Sequence, residues 1–389
     1  MLTSTVERQM LRKLPPEVWL FIFEHLQWPQ PQLASMLRIS SYTKGIVERI
    51  LYREPKIGFS LKGTEIAHLV EQFHRTVTKG DGHLASNVQT LSLGRIRKKP
   101  AKETPVQDDT CITAALLLSL RNLKQLEVLY HGVTPVPPAV DPSSRFTSIT
   151  HLCWSAEVKD AVSFASFLAS LPSLERLMAG GDGIGSIPLA PTALPLLRHL
   201  VNASFELTES ILVGRQICHL GVKTNNVQSC FSNAFGKHVT SAPLPVVKSV
   251  QSLSINSDAI HLIPLTACAY AWYSFPEMRY LRIASDDPLG SLSELVPYVS
   301  QLRHTKVKFL SFEAVSDDDG MESAKDLFAA LPSLKTFDYQ RMNDDAEEGF
   351  HRFRRDKLED EPEWIEEEST SEWDQQWTDS EAGSGEVEE

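Results

Sequence analysis

The sequence predicts an α/β chain in three parts: a helical piece over residues 11–53, a body of strand and helix repeats over 54–340, and a charged, mostly disordered acidic tail over 341–389. Three observations predict it. A run dense in large apolar residues follows paired prolines near the start, short leucine-bearing strand patterns return through the middle, and the net charge gathers at the end. With 389 residues and 42% hydrophobic content, the chain can build a substantial core.

The helical piece opens on LPPEVWLFIFEHL, residues 14–26. Pro15 or Pro16 suits the first helical turn, where no amide needs an intrahelical acceptor. Val18, Phe21, Ile22 and Leu26 recur at helical spacing. Trp19, Leu20 and Phe23 widen the apolar arc beyond what one packed face requires. That surplus has two readings: its own small domain wraps the helix, or a partner does. Residues 27–32 read as a turn on Pro29 and Pro31. A second helical run then carries Leu33, Met36 and Leu37, followed by Ile46, Val47, Ile50 and Leu51 at three- and four-residue intervals. So few helices make a very small core, which needs the body or another protein to complete it.

The body begins with a strand or turn at residues 57–61 and a helix over 64–77 that sets Ile66, Leu69, Val70 and Phe73 on one side. Residues 87–93 then alternate as a short strand with Leu91 and Leu93 facing the same way. This pattern returns around residues 126–129, 149–154, 174–177, 197–200, 217–222, 250–255, 278–283 and 334–337, with a weaker instance near 302–309. The closing leucines Leu129, Leu152, Leu177, Leu200 and Leu220 are 23, 25, 23 and 20 residues apart, and the later steps to Leu253, Leu281 and Phe337 are 33, 28 and 56. Most of these lie in or near the range of about 20–29 residues in which a strand and a returning helix form one turn of a leucine-rich solenoid. ASLPSLERL (169–177) and AALPSLKTF (329–337) repeat the same order of helix end, Leu-Pro break and strand start. Such units stack because neither a short strand nor an amphipathic helix can bury its apolar face alone. The alternative is a mixed α/β domain whose strands join one ordinary sheet.

If each closing Leu points inward, the residue before it points outward. Those residues are Thr90, Val128, His151, Arg176, His199, His219, Ser252 and Tyr280. His151, Arg176, His199 and His219 form a basic-leaning strip, the candidate client-binding residues, because Arg and protonated His donate charge-assisted bonds to acidic or phosphorylated groups. They also read as ordinary solvent-facing strand residues, and the three histidines are a weaker zinc candidate for want of a fourth ligand.

The formal charge of -12 is uneven: residues 357–389 hold fourteen Asp or Glu against one Lys, which leaves the rest of the chain close to neutral. A nucleic-acid surface is therefore not expected. Residues 95–105, RIRKKPAKETP, read as a basic solvated loop, and Trp364, Trp373 and Trp377 stand within the acidic tail. Five scattered cysteines without metal or redox spacing read as reduced, and Asn202 in its Asn-Ala-Ser setting reads as a coincidental glycosylation match. No run approaches the roughly 20 apolar residues of a membrane span, and the first residues lack a signal-peptide form, so the expected location is cytoplasmic and/or nuclear. There is no GxSxG elbow, phosphate loop, dinucleotide fingerprint or HExxH helix. Asp81 and His83 flank a glycine in a loop with no third ligand nearby. No enzyme, metal or cofactor is expected.

Leu14, Pro15, Glu17, Ile22, Phe23 and Leu26 fall on an LPxE...IFxxL pattern, and LASMLRISSYTKGIVERILY follows it. These blocks resemble the F-box motif, and with the irregular leucine-rich body the chain resembles fungal F-box proteins. The resemblance implies an N-terminal helical F-box followed by a leucine-rich-repeat-like solenoid. It implies that Leu14, Pro15, Glu17, Val18, Trp19, Ile22, Phe23 and Leu26 dock on a Skp-type adaptor and through it on a cullin. The body would then hold a protein client for a ubiquitin ligase, a proximity role with no bond chemistry of its own. The rival is a protein-interaction scaffold with an F-box-like cap and no ligase.

Overall fold

Residues that alternate in polarity over four to six positions form the strands of this protein, and their partners lie next to them in chain order. The computed structural model describes residues 15, 18–19, 21–22, 30–37, 41–58, 66–95, 112–130, 138, 140–141, 143, 145–156, 158, 160–180, 187–203, 211–212, 214–224, 248–257, 275–285, 291–315, 320–341, 350–355 and 363–368. They divide between two compact units, Met1–Leu196 and Leu197–Glu389.

In the first unit, residues 18, 19, 21 and 22 are helical and precede α1 (Gln30–Met36) and α2 (Ser41–Leu51). The expected turn over 27–32 is corrected at its end: α1 already begins at Gln30. Pro31 sits in its first turn, where a missing amide costs no intrahelical bond. Leu33, Ile46 and Val47 are buried, and Trp19, Met36, Leu37, Ile50 and Leu51 pack against them. The carbonyl of Arg53 then accepts the amides of Gln89 and Thr90 at 2.9 and 3.0 Å, which ties the end of the helical segment to the first long strand.

The rest of this unit is a parallel ladder of β1 (Lys56–Ile57), β2 (Thr90–Arg95), β3 (Gln125–Tyr130), β4 (His151–Trp154) and β5 (Arg176–Ala179). Its helices are α3 (Ile66–Thr78), α4 (Ala114–Ser119) and α5 (Ala161–Ala169). Leu91, Leu126, Leu152 and Leu177 form one inner row, and Leu93, Val128, Trp154 and Ala179 the next. All eight are at most 1% exposed. Asp160 caps α5 by accepting the Val162 amide at 3.0 Å, and the helix then lays Phe164 and Phe167 against Trp154, with ring centroids 5.1 and 6.1 Å apart. A buried aromatic of this kind contributes about 1.5–3 kcal/mol.

The second unit holds β6 (His199–Ala203), β7 (His219–Thr224), β8 (Ser252–Ser257), β9 (Tyr280–Ser285), β10 (Phe309–Val315) and β11 (Thr336–Arg341), all parallel and paired in sequence order. Among its described residues are the helices α6 (Leu292–Val299) and α7 (Gly320–Ala330). Leu200, Leu220, Leu253, Leu281, Leu310 and Phe337 make the inner row. The weak strand pattern expected near 302–309 is corrected in place: residues 300–304 form a 3-10 turn and the strand itself runs Phe309–Val315, so that Leu310 divides the long step before Phe337.

Two expectations are corrected. Leu126, not Leu129, closes the third strand's inner row, because Leu126 pairs with Leu91 and Leu152 while Leu129 stays half-buried. With a side-chain period of two, that shift sends Val128 inward, 0% exposed, and puts Gln125 in its place on the outer row. The tail predicted from residue 341 as mostly disordered contains β12 (Phe350–Arg354) and β13 (Glu363–Glu368), antiparallel additions beyond β11. Phe353 stacks near Phe337 and Tyr339, and its burial outweighs the local charge that argued against order.

Candidate functional site

Two surfaces carry the residues singled out from the sequence. On the helical segment, the Pro15 carbonyl accepts the amides of Val18 and Trp19 at 3.1 and 3.2 Å, which starts the helix where the prolines predict. Val18 and Trp19 lie about 100° apart on a helix, and each has a companion three residues on. Trp19 and Ile22 are half-buried, and Trp19 packs on Leu33, Ile46 and Val47. Val18 and Phe21 are 39% and 60% exposed. Trp19, one of the residues that widen the apolar arc, thus belongs to the segment's own core, and Phe21, one of the helically spaced residues, is on the outside. The reason is volume. A core of three aliphatic side chains needs the largest side chain of the helix to cover it. Pro15 is exposed, while Leu14, Glu17, Phe23 and Leu26 lie outside the described residues.

On the outer face of the first unit, Thr90, Gln125, His151 and Arg176 stand in register, so His151 and Arg176 are neighbours as expected. Burial, with the Arg176 charge beside it, holds His151 below the ordinary imidazole range. Its Nδ1 lies 2.8 Å from the Thr150 hydroxyl. His151 is thus neutral at pH 7 and acts as a polar contact, not as the cation expected from sequence; Arg176 alone brings charge to this pair. In the next row, Glu127 accepts Ser92 Oγ at 2.5 Å and Gln125 Nε2 at 2.6 Å. Cys153 Sγ lies 3.4 Å from Met178 Sδ, and burial pushes its thiol up, which keeps it protonated and unreactive.

On the outer face of the second unit, His199 pairs with His219 and their rings stack at 4.5 Å with 12° between planes. Parallel rings present parallel lone pairs, so one metal ion cannot meet both in line without a turn of the rings. Past the buried Ser252, Tyr280 stacks on Phe309 at 4.5 Å and 6°. The adjacent row is closed by charge pairs. Arg282 meets Glu313 at 2.5 Å, and Arg352 grips both carboxylate oxygens of Asp338 at 2.9 and 3.0 Å. The structure therefore groups the four predicted client residues as two pairs, one in each unit. Phe309 was missed because its strand was the weakest pattern in the sequence.

A third cluster joins residues far apart in sequence. Gly80 and Gly82 adopt φ of 75° and 71°, and this tight turn sets His83 Nδ1 2.9 Å from Asp81 Oδ1. Glu48 of α2 supplies the further group that sequence spacing could not find, 3.3 Å from Nε2. The Asp81 bond, then the Glu48 bond, raise the His83 imidazole above its ordinary range. Both ring nitrogens are engaged on opposite edges, an ion bridge and not a converging ligand set.

No known family and no curated protein matches this chain. Among the described residues no group of three or more His, Cys, Asp and Glu side chains is placed to hold a metal ion, and no helix is long and apolar enough to cross a membrane.

Proposed function

We propose that this chain is the substrate-recognition subunit of a Skp-cullin-F-box ubiquitin ligase, with an F-box at its N-terminus and a leucine-rich-repeat-like body that holds a protein client. The observation that carries the reading is the helical segment: it uses Trp19 inward and leaves Val18 and Phe21 as adjacent apolar side chains on its surface. Such a pair is suited to the apolar centre of an interface, where aromatic anchors dominate affinity. The exposed Pro15 precedes them by one turn. The ladder of strands that follows presents polar and aromatic outer rows for a client, and catalysis of ubiquitin transfer belongs to the other subunits, which gain a high local concentration of the client.

The test is co-purification of the full chain with a Skp-type adaptor. Val18→Ser with Phe21→Ser abolishes capture while Val162→Ser, an equally exposed apolar site on α5, leaves it intact. A wild-type chain that captures no adaptor replaces the ligase reading with that of a scaffold.

A further inference from the structure

The residue immediately before each parallel strand of the second unit, β6 to β11, belongs to one transverse row. The amide of Cys218 bonds to the carbonyl of Arg198, Gln251 to Cys218, Arg279 to Gln251, Lys308 to Arg279, and Lys335 to Lys308, at 2.7–2.9 Å. Each step crosses one strand, so Arg279, Lys308 and Lys335 stand side by side about 4.8 Å apart. Arg279 and Lys335 are exposed, Lys308 is half-buried, and among the described residues none of the three forms an ion pair. The nearby Glu277 is already engaged by Lys306 at 2.6 Å, and that bond, with further fields from Lys306, Arg279 and Lys248, holds its carboxyl below the usual range. The equivalent row of the first unit has no such run: Lys124 is followed by Thr150 and Glu175, linked by the same kind of bonds.

We propose that Arg279, Lys308 and Lys335 form a docking row for an acidic, extended segment of the client protein, an inference that rests on the client-binding role of the body proposed above. Three like charges on neighbouring strands repel one another, and a polypeptide with carboxylates at alternate positions, about 6.8 Å apart, lies within reach of their long stems and removes that repulsion. A nucleic acid is the less fitting polyanion. A duplex carries one negative charge per about 1.7 Å and calls for a broad basic surface, whereas the body is close to neutral overall and three adjacent cations match the few charges of a short acidic stretch.

The experiment is fluorescence anisotropy of the full chain with a labelled peptide of alternating Glu and Ser, its Gln and Ser counterpart, and an oligothymidylate of equal length, each at low and high salt. The expected result is binding of the Glu peptide roughly tenfold or more tighter than the Gln peptide, weakened by salt. Arg279→Gln with Lys308→Gln and Lys335→Gln removes that preference with an unchanged melting temperature, and the triple change to Glu transfers it to an alternating Lys and Ser peptide. Equal binding of the Glu and Gln peptides, or no effect of either triple variant, overturns the proposal, as does tighter binding of the oligonucleotide through the same three residues. Glu-peptide binding that emerges only when the carboxylates of residues 369–389 are replaced by amides gives the row to the chain's own acidic end and overturns the client assignment. Adaptor capture measured on the same proteins keeps the two readings apart: a wild-type chain that captures no adaptor overturns the ligase reading alone, and a Glu preference that is absent from the wild-type chain or survives both triple changes overturns this one alone.

Discussion

The helical segment of the first unit and the closing strands of the second are finished in opposite ways. The first is held by three buried aliphatic side chains, Leu33, Ile46 and Val47, and leaves Val18 and Phe21 facing solvent. The second stacks Phe337, Tyr339 and Phe353 and draws even its charges inside: Asp338 and Arg352 are each 2% exposed, and Arg355 donates to the carbonyls of Leu331, Pro332 and Leu334. On the ligase reading proposed above, a surface that takes an adaptor leaves apolar area uncovered, whereas strands that end a parallel ladder must satisfy every polar group and discourage further pairing. The acidic sequence of β13, EWIEEE, suits that last task.

The sharpest way to break this contrast is to open the buried pair. Arg352→Ala leaves Asp338 without its counter-charge and is expected to cost about 3–5 kcal/mol, whereas Asp338→Leu with Arg352→Met costs far less, because the unpaired charge is what destabilises. Urea denaturation distinguishes the two, and a loss below about 1 kcal/mol for the single variant would show the pair to be solvated. Phe353→Ala removes the aromatic that holds β12 and is expected to cost about 3–4 kcal/mol by the same measurement. In the helical segment the effect is local. Trp19→Ala speeds hydrogen exchange across α2 while the amides of β3 and β4 keep their protection, and uniform acceleration of all three would mean that this small core is part of the global one. Val18→Ser with Phe21→Ser is expected to change stability by no more than about 0.5 kcal/mol, since both side chains are exposed, while on the proposed reading it abolishes adaptor capture.

The smallest effect concerns the bridge from α2 to the following turn. His83 has a raised imidazole value in the folded chain, so the bridge is present below the ordinary value and is lost as pH rises through the raised one. An NMR titration should give a midpoint above that of a free imidazole. Asp81→Asn should lower it more than Glu48→Gln, and a midpoint unmoved by both would exclude the bridge.

Much of the body was legible in the sequence. Leu91, Leu152, Leu177, Leu200 and Leu220 are inner-row residues as their alternation predicts, because one face of a strand must leave water and the period of two fixes which side chains share it. The register was less so where leucines crowd. Residues 126–129, Leu-Glu-Val-Leu, offer two frames, and only pairing with Leu91 and Leu152 selects Leu126. For the helical segment, composition disclosed an apolar surplus but not its direction, since Trp19 and Phe21 are equally apolar in sequence and are told apart by which one the small core can reach.

By itself the sequence determined most of the element types, most members of the inward rows and the place of the acidic charge, because periodicity and composition act over a few neighbouring residues. Tertiary structure alone decided what stands beside what. Arg279, Lys308 and Lys335 are far apart in the chain and become neighbours through ladder hydrogen bonds, and Glu48 reaches His83 only across the packing of α2 on the following turn. Such groupings depend on how many residues each connection contains before the next strand is added, a quantity that no local pattern of polarity encodes.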